Sequence, residues 1–285
     1  MVAIGRVICA AILTAGMLHT GVAVAGTLDD IRGSGVVRLA YRQDAPPFSY
    51  VAGNAAVPAG FIVDLCRAVA AGIGKQLGIE IKEAYVPVTS TDRFDALVDN
   101  KADLLCEATT QTLKRRETVS FSIPTFADGA SFIIQPSGPK DIGDLAGKKV
   151  GVLAGTTTEA ELRQALAAKQ LTAEIVPAKT HQEGFDAVQK GAIAAYFADR
   201  GILTFLLMNA KTPGNLLLAD IYLSVEPYAL AMRRGDEDFR LAVDRQLSSI
   251  YRSGQIARIF GATFGPSVRP SPILLGLYAT AALPE

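Results

Sequence analysis

From residue 36 the chain alternates short β-rich runs with segments of helical spacing, and beyond residue 148 it does so again. Few folds accept that order, because strands joined by helices pair in parallel and the crossovers close in one hand only. In the first unit, residues 36–41 (VVRLAY) read as a strand, followed by a loop in which Pro46-Pro47 forbids a helix. Residues 61–77 place Phe61, Leu65, Ala68, Val69, Ile73 and Leu77 at helical spacing. A strand over 79–88, a short helix over 92–100 with Phe94, Leu97 and Val98 inward, and a strand over 103–106 complete a βαβαβ unit.

The second unit reads as strands at 149–153, 173–176 and 194–198 with helices at 157–169, 182–190 and 202–209. Two extended runs, 129–135 (GASFIIQ) and 227–232 (PYALAM), connect the units, and a helix over 236–253 follows the second. The expected architecture is α/β: two parallel-sheet lobes joined by two crossing strands. Residues 26–128 plus 230–285 form lobe 1, and 129–229 form the crossings and lobe 2. Ligands of open α/β sheets sit at the carboxyl ends of strands, and a cleft between two such lobes collects those ends from both.

Residues 1–25 stand apart. Arg6 precedes an apolar run over 7–18, and Ala23-Val24-Ala25 offers small residues for cleavage, so the segment reads as a secretory signal rather than a membrane anchor. The whole chain balances 28 basic against 28 acidic residues, which removes the basic signature of a nucleic-acid binder. Three Cys and two His are too few for a structural zinc site, and no cofactor is expected. After cleavage Cys66 and Cys106 remain, either as two buried thiols or as a bridge that an oxidising compartment permits.

The polar residues gather at strand ends: Arg42, then Thr89-Ser90-Thr91-Asp92-Arg93, then Thr109-Thr110 with Arg115, then Gly155-Thr156-Thr157-Thr158, then His181 and Asp199. Each has an ordinary explanation. Ser90 or Thr91 can cap the following helix, and a lone arginine is usually solvated. Their shared position at strand ends is what points to a binding site, with free backbone N–H groups near Thr156 and Thr157 suited to an anion. An acyl-transfer enzyme has little to work with, since the mature chain keeps only His181 and shows no Cys-His or Ser-His motif.

Several stretches resemble family 3 of the bacterial extracellular solute-binding proteins: Arg42-Gln-Asp-Ala-Pro-Pro-Phe-Ser-Tyr50, Gly60-Phe-Ile-Val-Asp64-Leu, Pro87-Val-Thr-Ser-Thr-Asp-Arg93, Ala108-Thr-Thr-Gln-Thr-Leu-Lys-Arg115, Gly155-Thr-Thr-Thr-Glu159 and the late Leu277-Tyr-Ala. The Thr-Ser-x-x-Arg and Ala-Lys-x-His segments resemble the glutamate/aspartate-binding branch. The resemblance implies a two-lobe type II periplasmic binding protein that is monomeric, binds an amino acid, and serves the inner-membrane permease of an ABC importer. It also implies that Arg42, Ser90, Arg93 and His181 hold a side-chain carboxylate, that Arg115, Thr110, Thr156 and Thr157 hold the α-carboxylate, and that Asp199 pairs with the ammonium. The branch usually has Gly-Ser where this chain has Glu107-Ala108, and tends to repeat an acid where it has Arg200. Ala108 removes a hydroxyl, and Glu107 adds negative charge beside a site meant for carboxylates. A lyase or dehydratase using Glu107 on the same fold, or a periplasmic sensor, are the alternatives.

Overall fold

The computed structural model describes residues 26–284, so residues 1–25, expected to be a secretory signal, lie outside the described residues. The first part of the chain runs α1 (Thr27–Ser34), β1 (Val36–Arg42), β2 (Asp44–Ala45), β3 (Ser49–Tyr50), α2 (Phe61–Leu77), β4 (Lys82–Val88), α3 (Arg93–Val98), β5 (Leu104–Leu105), α4 (Leu113–Arg116) and β6 (Val119–Asp128). Then come β7 (Ala130–Ile134), β8 (Lys149–Leu153), α5 (Thr157–Ala168), β9 (Glu174–Ala178), α6 (His181–Gln189), β10 (Ala195–Asp199), α7 (Arg200–Met208) and β11 (Leu217–Leu218). The chain closes with β12 (Glu226–Arg233), α8 (Glu237–Arg252), α9 (Gln255–Phe264) and α10 (Pro272–Ala281).

Two five-stranded sheets result, in the orders β4-β1-β5-β12-β6 and β11-β7-β10-β8-β9. The interior of each is parallel, as the βαβ pattern requires, with β1 beside β4 and β5, and β8 beside β9 and β10. Neither sheet is parallel throughout, which corrects the expectation. The connecting segments are themselves strands and enter the sheets in the opposite sense: β12 pairs antiparallel with β5 and β6, and β7 antiparallel with β10 and β11. A chain that leaves one sheet and returns must run against the strands already there. Only Gly129 separates β6 in the first sheet from β7 in the second. Helix α8 packs on α2 and β6 of the first sheet.

Strand β6 covers residues for which the sequence suggests no element, and Pro124 interrupts it. It tolerates the proline by lying at a sheet edge, and its register with β12 shifts at Pro124, where no backbone N–H is available. The helix expected over 92–100 stops at Val98, whose side chain is exposed rather than inward, while Leu97 is buried.

Helix α2 is bounded by two glycines. Gly60 sits at φ 126°, and a Cβ there would come within 2.4 Å of the Phe48 carbonyl oxygen, so only glycine lets the β3 turn approach the helix start. Gly78 ends the helix in the left-handed conformation, donating its N–H to Gly74 and Lys75. The buried face of α2 meets an aromatic cluster in which Phe48 packs edge-on against Phe126 at 5.0 Å and Tyr228 at 5.4 Å. Each such ring contributes about 1.5–3 kcal/mol by burial. The question left open for Cys66 and Cys106 resolves to a bridge: their Cα atoms are 6.0 Å apart, tying α2 to the end of β5.

Candidate functional site

The strand ends of both sheets meet in a narrow cleft lined mainly by polar and charged side chains. Arg42, Arg93, Thr110, Arg115, Thr156, Thr157, His181 and Asp199 all line it. Ser90 is buried beside it without lining it; its carbonyl oxygen would be 3.1 Å from a Cβ on Gly155. Neither Ser90 nor Thr91 caps α3. Instead Thr89 accepts from the Asp92 N–H at 3.3 Å, and Asp92 accepts from the Thr89 N–H at 2.7 Å.

At one end lie two arginines. Arg42 ends β1 and is fixed by Ser49, whose hydroxyl accepts from its N–H at 3.0 Å and donates to its carbonyl at 3.2 Å. Its guanidinium donates from Nε to Asp44 at 3.0 Å. Arg93, 3% exposed at the start of α3, donates from Nη2 to the Gly155 carbonyl at 3.3 Å and lies 3.3 Å from Glu107 through Nη1. Glu107 lies two residues past β5, is 1% exposed, accepts from the Thr109 hydroxyl and stands 4.0 Å from Arg42. The Nε of Arg93 is buried with no hydrogen-bond partner among the described residues. Asp44 also accepts from the His181 N–H at 3.3 Å, so a carboxylate carried by β2, which pairs only with β3, meets the start of α6 and complements the helix dipole. His181 is paired through Nδ1 with the Tyr196 hydroxyl at 3.0 Å. Burial, with Arg42 nearby, pushes its pKa down to about 4, so the imidazole is neutral at neutral pH.

Arg115 stands between the poles. It donates to the Thr110 carbonyl at 2.8 Å and, like Arg93, faces the Phe94 ring, at 5.4 Å and 5.0 Å from its centroid respectively. Burial first, and then Arg93, push its pKa down to about 10, which leaves it charged at neutral pH.

The other end is acidic. Asp199, at the end of β10, accepts from Thr158 at 3.0 Å and from the Tyr228 hydroxyl, which lies 3.3 Å from Asp128. Asp128 accepts from the N–H groups of Gly129 and Gly201 at 2.8 and 2.9 Å. Burial, reinforced by Asp128 and Glu226, pushes Asp199 up to about 7. Glu226, buried at the start of β12, accepts from Thr110 at 2.5 Å, Thr157 at 2.9 Å and Ser224 at 2.5 Å. It therefore joins hydroxyls from the loop after β5 and from the start of α5. Thr156 is spent as the cap of α5, accepting from the Glu159 N–H at 3.2 Å.

Sequence reasoning missed Glu226, Asp44, Asp128 and Tyr228. Asp44 had a signal in its nearness to Arg42. Glu226 had none, since it precedes a proline in an apolar run and meets Thr110 only through the pairing of β12. A cleft that brings the cation Arg115 together with the carboxylate Asp199, beside arginines already paired with Asp44 and Glu107, suits a zwitterion. Among the described residues no group of His, Cys, Asp and Glu is placed to hold a metal ion, and no helix is long and apolar enough to cross a membrane.

The model of the bacterial extracellular solute-binding proteins, family 3, matches residues 37–266. The chain is 31% identical over 252 residues to the L-glutamate/L-aspartate-binding protein of Pseudomonas aeruginosa, covering 88% of this chain and 83% of the relative. It is 30% identical over 225 residues to the glutamate/glutamine/aspartate/asparagine-binding protein BztA of Rhodobacter capsulatus, covering 78% and 65%. A crystal structure of a mutant of ArgBP from T. maritima superposes with a TM-score of 0.72 at 26% identity, over 83% of this chain and 98% of that one.

Proposed function

Because the chain belongs to the bacterial extracellular solute-binding proteins, family 3, we propose that its cleft captures one amino acid from the set glutamate, aspartate, glutamine and asparagine. It is an amino-acid-binding component of an ABC importer, not an enzyme. The observation that carries the ligand reading is the lining of the cleft, which brings the cation Arg115 together with the carboxylate Asp199. Arg115, with Thr110, Thr156 and Thr157 beside it, receives the α-carboxylate. Asp199 pairs with the ammonium. The side chain extends toward Arg42, Arg93 and His181, with Ser90 behind them. The names of two relatives supply the ligand set.

Residues 26–128 plus 230–285 act as one lobe and 129–229 as the crossings and the other lobe, and closure brings Thr110 to Thr157 and Asp44 to His181. The protein works as a periplasmic monomer released by cleavage after residue 25, and hands its ligand to a membrane permease without any nucleic-acid partner. A thermal-shift screen of the twenty amino acids tests the ligand reading, since only a bound ligand raises the melting temperature by mass action. Small-angle scattering on adding the best hit is expected to show contraction. No stabilisation by any amino acid would sink the reading.

The pH dependence follows from Asp199. Its folded pKa is raised above the unfolded value, so the stability it contributes is full below about pH 4 and is lost as pH rises through about 7. A ligand ammonium has the opposite preference, because it favours the carboxylate and expels the proton. Affinity is therefore expected to fall roughly tenfold or more as pH drops from about 8 to about 5.5. Calorimetry across that range checks it, and a flat profile would remove Asp199 as the ammonium partner.

A further inference from the structure

We propose that Glu107 is a built-in carboxylate occupying the arginine pole of the cleft, and that it makes the protein select the amides glutamine and asparagine over glutamate and aspartate. The inference rests on the reading of the cleft as an amino-acid site and decides the side chain that site accepts.

The charges at that pole already balance. Two guanidiniums, Arg42 and Arg93, face two carboxylates, Asp44 and Glu107. Both arginines and Glu107 are almost wholly removed from solvent. A ligand carboxylate would enter a buried pocket without an unpaired cation and beside a like charge, where neither desolvation nor repulsion is compensated. A neutral side chain meets no such penalty.

Hydrogen-bond capacity points the same way. Two nitrogens of Arg93 are committed to protein, Nη1 to Glu107 and Nη2 to the Gly155 carbonyl, while the buried Nε has no acceptor. On Glu107, Oε1 accepts from Thr109 and faces Arg93, whereas Oε2 has Arg42 only at 4.0 Å, beyond hydrogen-bond reach. The pole thus holds one uncommitted donor, on Arg93, and one uncommitted acceptor, on Glu107. A carboxamide supplies the complement, its carbonyl accepting from Arg93 and its NH₂ donating to Glu107. A carboxylate accepts but cannot donate, so it leaves Glu107 unanswered. Discrimination between groups that differ in this way is large when the site is buried.

Calorimetry with L-glutamine, L-asparagine, L-glutamate and L-aspartate tests the proposal on wild type, Glu107→Gln and Glu107→Ala, each checked for folding by its melting transition. Wild type is expected to bind its better amide at least roughly tenfold tighter than the corresponding acid. Both variants remove one negative charge from the pole and leave Arg93 without its carboxylate, while Arg42 keeps Asp44, and the amide-to-acid affinity ratio is expected to fall at least roughly a hundredfold. Glu107→Gln keeps nearly the same volume and the contact with Thr109, so it carries the test should the alanine variant misfold. Tighter binding of an acid by wild type, or a ratio that moves less than about tenfold in the variants, overturns the proposal and leaves the amino-acid reading standing. So does binding of some other amino acid but none of these four. If wild type binds no amino acid at all, the underlying reading fails and this one with it.

Discussion

Arg115→Ala is expected to weaken binding of the amino acid by about a hundred- to several-thousand-fold, equivalent to about 3–5 kcal/mol. Removing the guanidinium leaves the ligand's α-carboxylate enclosed without its cation, and the loss is that of an uncompensated buried charge. None of the hydroxyls nearby replaces it. Thr110 and Thr157 already donate to Glu226, and Thr156 caps α5. Folding stability should change far less, since Arg115 is only half-buried and its protein contacts are one bond to the Thr110 carbonyl and the face of Phe94. Arg115→Lys keeps the charge but loses the planar fork, so an intermediate loss is expected. Calorimetry beside melting curves separates the two effects. A binding loss under about 0.5 kcal/mol with an unchanged fold would show that Arg115 is an ordinary surface arginine.

Removing the disulfide with Cys66→Ala and Cys106→Ala together is expected to cost about 4 kcal/mol of stability, from the loop of 40 residues it closes. For a chain of this size that corresponds to roughly 8–16 °C in melting temperature. Both sulfurs are fully buried, so alanine introduces no unsatisfied polar group and the change isolates the cross-link. The bridge also anchors Cys106 to α2 immediately before Glu107, and ligand discrimination should loosen along with stability. Calorimetric melts of the oxidised wild type and the double variant decide it; a drop under about 3 °C would mean that packing alone holds α2 to β5.

Helix α2 was legible to the residue because its apolar face repeats at helical spacing and Gly78 stops it. Strands β1 and β8 were legible for a similar reason, as short apolar runs closed by polar loops. Strand β6 was not, since Pro124 is a sound argument against a strand until the fold puts it at an edge. The two-residue strands β2 and β3 were hidden in a loop because their pairing is made by the turn between them, not by any periodicity. Helices α9 and α10 lay beyond the last segment whose pattern was read.

Arg42, Arg93, Arg115 and Asp199 stand at strand ends in the sequence, and an α/β alternation brings strand ends together, so a shared cleft followed from local pattern alone. The side chains' partners did not. Glu226 meets Thr110 across 116 positions and Thr157 across 69, and no local pattern encodes contacts of that range. Glu107 was visible as an acid beside a site for anions, but whether its carboxylate faces solvent or the arginines depends on how β5 presents the residue after Cys106 to the start of α3. The amino-acid sequence by itself determined the alternating elements and the charges available at their ends, because hydrophobic periodicity and turn chemistry act over a few residues. The tertiary structure alone decided which charges neutralise one another, because that depends on distances of a few ångströms between elements far apart in the chain.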